Sequence, residues 1–137
     1  MQLVSVRLIT DDITRLVTFY EHVTGLQPRW LSEQFAEFAG SSCTLAIGSV
    51  ETMALFGAGV SQANGAAIIE FLVDDVDRES ERLAGRIEIV QPPTTMPWGN
   101  RSLLFRDPDG NLVNFFTPVT EQARARLGQA GLFGTVR

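Results

Sequence analysis

The segment Thr10-Asp11-Asp12-Ile13-Thr14-Arg15 returns 63 residues later as Val73-Asp74-Asp75-Val76-Asp77-Arg78, each copy following an apolar run and opening a helical pattern. Self-similarity at a fixed spacing restricts the chain to an architecture built from two copies of one small module. Every residue of one half then has a counterpart in the other, and function is read from what the paired positions hold.

The 137 residues, 45% of them hydrophobic and nine of them Phe, suffice for one core. A net charge of −5, with eleven scattered arginines, gives no cationic track for phosphates, so nucleic acid is not an expected partner. The complete lack of Lys removes Schiff-base chemistry and any lysine-dependent phosphate loop. Cys43 is the only cysteine and makes no internal disulfide, which fits a reducing compartment. No basic segment followed by an apolar stretch marks a signal peptide, and no apolar run reaches the length of a membrane span. The expectation is a cytoplasmic protein without a membrane partner.

Along the chain, residues 3–9 read as a strand. Asp11 or Asp12 caps a helix carrying Ile13, Leu16, Val17, Tyr20 and Val23 on one stripe, and Gly25 closes it. Strands follow around Trp30, Phe35 and Phe38, over 44–47 and over 53–56, with Gly-rich turns between them. Residues 57–65, small and polar, are the expected linker. The second module opens with a strand over 67–73 and a helix over 76–84, then strands over 87–90, 102–105 and 112–116. The stretch from Pro92 to Arg101 reads as a long loop because of its Pro and Gly content. Asp107-Pro108-Asp109-Gly110-Asn111 is a hairpin turn, and it lacks the spaced ligands and distal Glu of a calcium loop. A short helix over 121–127 and a fraying tail end the chain.

These features together, with Phe19-Tyr20-Glu21-His22-Val23-Thr24-Gly25-Leu26 and Arg106-Asp107-Pro108-Asp109-Gly110-Asn111-Leu112-Val113, resemble the glyoxalase, bleomycin-resistance and extradiol-dioxygenase superfamily, the vicinal oxygen chelate proteins. The resemblance covers residues 1–118. It implies an α+β fold of two tandem βαβββ modules, about 1–56 and 66–118, whose mixed sheets curl around a cavity, with residues 119–137 as a C-terminal helix and tail. It also implies a homodimer.

Enzymes of the family hold a divalent metal with His, Glu or Gln from four strand positions. Carried over through the repeat, two of these positions are Ser5 and Ile68, each seven residues before a capping Asp. The two on the final strands are Ala54 and Asn114, each before two apolar residues. Ile68 and Ala54 have no side-chain donor, and Ser5 and Asn114 are poor neutral ligands for zinc, iron or nickel. The lone His22 sits on the first helix, where solvent exposure is the ordinary expectation. No metal and no other cofactor are expected.

Strand alternation puts Arg7 on the face of Ser5 and Glu70 on that of Ile68. Arg7 and Glu70 either pair with each other or hold a ligand, and a desolvated Glu70 is the candidate general base. Trp30, Phe38, Phe56, Trp98 and Phe116 are the aromatic candidates for a ligand, with Trp98 in the long loop the most conspicuous. Many phenylalanines on half-buried strands serve only the core, so the two tryptophans carry most of this expectation. The favoured function is metal-free binding of a small apolar or aromatic molecule, as in antibiotic sequestration. The alternative is a lyase, isomerase or dioxygenase using a noncanonical metal site or Glu70 and Arg7 as acid and base. A degenerate interaction domain is the third reading.

Overall fold

In the computed structural model, residue 3, residues 5–52 and residues 67–129 are described. The chain divides into two units, Met1–Asn64 and Gly65–Arg137. The expected strand over 53–56 and the expected linker over 57–65 lie outside the described residues.

The first unit comprises β1 (Ser5–Thr10), α1 (Ile13–Thr24), β2 (Arg29–Ser32), β3 (Phe35–Ala39) and β4 (Thr44–Ser49). Its sheet has the order β1-β4-β3-β2, with β1 and β4 parallel and the other pairs antiparallel. The second unit repeats the plan with β5 (Ile68–Leu72), α2 (Val76–Leu83), β6 (Glu88–Thr95), β7 (Asn100–Arg106) and β8 (Leu112–Pro118), followed by α3 (Glu121–Gln129). Its sheet order is β5-β8-β7-β6, with β5 and β8 parallel. The fold is therefore α+β, two βαβββ units each with its own four-stranded mixed sheet. In both, the parallel pair is joined by a crossover helix and a hairpin, as a parallel connection requires.

The repeat seen in the sequence is a repeat of helix starts. Asp12 accepts from the Arg15 backbone N–H at 3.1 Å, and Asp75 accepts from that of Arg78 at 3.2 Å. Each carboxylate satisfies one of the donors that a helix N-terminus leaves unpaired. Asp12→Ala and Asp75→Ala are each expected to lower the unfolding free energy by about 1 kcal/mol. Urea denaturation checks both, and a null effect in either would remove the cap from the account of that helix.

One sheet face of each unit supplies its core. In the first, α1 buries Leu16, Val17, Tyr20 and Val23, and the sheet buries Ala36, Phe38, Leu45 and Ile47 on the face shared through the strand register. In the second, Leu103, Phe105, Val113 and Phe115 are at most 1% exposed, as are Val76 and Leu83 of α2. Phe115 stands edge-on to Phe105 at 5.0 Å and to Phe71 at 5.6 Å between ring centroids, the arrangement aromatic quadrupoles favour. Thr117 stitches α2 to the sheet: its hydroxyl accepts from the Val76 N–H and donates to the Val73 carbonyl. Farther along, Arg101 on β7 holds Asp77 through two hydrogen bonds of 2.8 and 2.9 Å, and this guanidinium keeps the Asp77 carboxyl below the usual carboxylate range.

The long loop expected from Pro92 to Arg101 is a correction. Strand β6 runs through both prolines to Thr95, β7 begins at Asn100, and the connection is only residues 96–99. Proline is excluded from central strands because it cannot donate to the ladder. Here β6 is an edge strand, and its pairing with β7 is irregular between Gln91 and Thr94, where the prolines fall.

Candidate functional site

The faces turned away from the cores carry the candidate polar residues. On the first unit, Arg7 pairs across to Ala46, and Phe35 to Gly48. These small residues on β4 leave room for Arg7 to cross it, and its guanidinium carbon lies 4.8 Å from the centroid of the Phe35 ring. A Cβ at Gly48 would stand 2.9 Å from Thr52 Oγ1 and 3.8 Å from Phe35, so a side chain there would intrude on this arrangement. Arg7 is thus held by a cation–π contact while remaining exposed. Phe35 was not singled out from sequence; the signal was the pair of small residues facing it on the neighbouring strand. Ser5 is exposed on the same face, opposite Thr44.

On the second unit, Glu70 pairs across to Asn114, whose Nδ2 donates to Glu70 Oε2 at 2.9 Å. Asn114 Oδ1 is buried and has no hydrogen-bond partner. Ile68 and Leu72 flank Glu70 on the same face and are 51% and 37% exposed. Glu70 itself is exposed. Phe116 shares this face but is 9% exposed.

Three of the aromatic candidates take definite places. Phe38 pairs with Leu45 and is 2% exposed, so it belongs to the face that packs on α1 and serves the core. Trp30 pairs with the buried Ala36, which puts it on that same side, opposite to Arg7, although its position on an edge strand leaves it 44% exposed. Trp98 sits at the tip of a tight hairpin rather than in a long loop. Its carbonyl accepts from Arg126 of α3, and the Val119 N–H donates to the Gly99 carbonyl at 2.8 Å. Gly99 has φ of +95°, and a Cβ there would fall 2.1 Å from Thr120 Oγ1. The hairpin tip is therefore fixed against the start of α3, with Trp98 54% exposed. Phe56 lies outside the described residues.

The metal-ligand positions can be restated from strand register. Ala46 stands to Arg7 as Asn114 stands to Glu70, so among the described residues the counterpart of Asn114 in the first unit is Ala46 on β4. Ala54, where the sequence reading placed it, lies outside the described residues. Ala46 has no donor atom, Ile68 none, Ser5 a neutral hydroxyl and Asn114 a neutral amide. Among the described residues, no three His, Cys, Asp or Glu side chains are grouped to hold a metal ion. These residues do not fit the family's metal centre. His22 is exposed in the last turn of α1.

The profile of the Glyoxalase/Bleomycin resistance protein/Dioxygenase superfamily matches residues 2–115. The chain belongs to this superfamily. It is 30% identical over 125 residues to the uncharacterized protein YraH of Bacillus subtilis (strain 168), covering 85% of this chain and 98% of that one. A glyoxalase/bleomycin resistance protein/dioxygenase family enzyme from Burkholderia phytofirmans PsJN has a similar fold, with TM-score 0.77 at 19% identity over 87% of this chain and 100% of that chain. A lactoylglutathione lyase from Agrobacterium tumefaciens is similar with TM-score 0.69 at 25% identity, over 84% and 92% of the respective chains. No helix among the described residues of this superfamily member is long and apolar enough to cross a membrane.

Proposed function

We propose that this superfamily member binds a small, largely apolar or aromatic molecule without a resident metal, by capture rather than chemistry. One observation carries the reading: the positions where metal enzymes of the superfamily are expected to place His or Glu hold Ser5, Ala46, Ile68 and Asn114. The polar groups available as anchors are Ser5 and Arg7 on the face of the first unit, and Glu70 and Asn114 on that of the second. Exposed Trp98, held on its fixed hairpin, offers a flat stacking surface. The same reading includes a homodimer and no nucleic-acid partner.

Elemental mass spectrometry of untagged protein, before and after incubation with zinc, iron, nickel and manganese, tests it. Metal well below one equivalent per chain throughout is the expected result. One tightly held ion per chain would overturn the reading and make a metal-dependent lyase, isomerase or dioxygenase the better account.

A further inference from the structure

We infer that the Glu70 face of the second unit selects organic cations, specifically a protonated amine carried on an apolar or aromatic body. This rests on the reading of that face as ligand-binding and adds the charge of the ligand to it.

The inference follows from the balance of donors and acceptors. Asn114 Nδ2 spends a donor on Glu70 Oε2 at 2.9 Å, which orients the carboxylate and leaves Asn114 Oδ1 as a buried acceptor with no partner. Arg106 is the arginine on this face among the described residues, and it is engaged: its guanidinium donates to the Gly110 carbonyl at 2.9 Å and lies 3.9 Å from Glu88. Arg101 faces the other way and is held by Asp77.

The face therefore offers one oriented, exposed carboxylate and, among the described residues, no arginine left over to neutralise it. An ionised carboxylate only accepts hydrogen bonds, so the complementary ligand brings N–H groups. A positive charge on those groups turns the contact with Glu70 into a charge-assisted hydrogen bond. The flanks of Glu70 set the rest of the molecule. Ile68 and Leu72 are exposed aliphatic side chains on either side of the carboxylate along β5, so an apolar body lying beside the charge gains burial while the ammonium reaches the carboxylate. In the first unit the counterpart of Glu70 is Arg7, and the cation preference belongs to the second unit alone.

Three probes of one shape test the inference on the full chain at neutral pH by titration calorimetry: 2-naphthylmethylamine, 2-naphthylmethanol and 2-naphthoate. The amine is expected to bind at least about tenfold more tightly than the alcohol, the scale of one charge-assisted hydrogen bond, with the carboxylate weakest. In Glu70→Gln the ratio of amine to alcohol affinity is expected to fall to within about threefold of one, circular dichroism confirming the fold. Equal binding of the three probes, or a preference that survives Glu70→Gln, overturns the cation inference while the ligand-binding reading stands. Binding of none of the three overturns both.

Discussion

Truncation of Phe38 to alanine is expected to lower the unfolding free energy by about 3–5 kcal/mol, the usual cost of emptying a fully buried aromatic site. Phe38 is 2% exposed among Ala36, Leu45 and Ile47, opposite the helix stripe of Leu16, Val17, Tyr20 and Val23. Domains of this size are stable by roughly 5–15 kcal/mol, so the variant sits near the threshold of folding. Urea denaturation with an unchanged slope and a large drop in midpoint is the expected signature. A midpoint close to wild type, with weaker ligand binding, would instead return Phe38 to a ligand surface and contradict its assignment to the core.

Removal of the Asp107 carboxylate is the second large effect. Asp107 is 4% exposed, and its Oδ1 accepts from the backbone N–H groups of Asp109 and Asn111, both at 2.9 Å, while Oδ2 accepts from Asn111 Nδ2 at 2.8 Å. The turn also closes through the Asp107 and Gly110 N–H groups, which donate to the Asn111 and Asp107 carbonyls. Asp107→Ala leaves the two backbone N–H donors and Asn111 Nδ2 without their acceptor, and the expected loss is about 2–4 kcal/mol. Asp107→Asn keeps one oxygen acceptor and is expected to lose less than half as much. Equal losses in the two variants would show that the carboxylate charge, not the hydrogen-bond acceptors, holds the turn.

Legibility from sequence followed the range of the interaction. The caps at Asp12 and Asp75 and the Asp107 turn depend on residues within four positions of one another, and their spacing is visible in the chain. The alternation that places Arg7 with Ser5 and Glu70 with Ile68 is equally local. What was not legible depends on which strand pairs with which. The face on which Trp30 and Phe38 lie is set by register against Ala36 and Leu45, and a shift of one residue would reverse it. The counterpart of Asn114 became Ala46 only once β4 was seen alongside β1. Continuity of β6 through Pro92 and Pro93 likewise depends on its place at the sheet edge, which composition does not reveal.

That edge has a consequence for behaviour at high concentration. An outermost strand normally offers a row of unpaired N–H and C=O groups on which a further strand can deposit, the route to amyloid-like stacking. Along β6 the row is broken at two consecutive residues that have no N–H to offer, at a point where the backbone is already kinked out of regular pairing. Strand accretion on this side of the second unit is thereby interrupted, and β5, the opposite margin of the same sheet, is the one with an uninterrupted row of backbone donors.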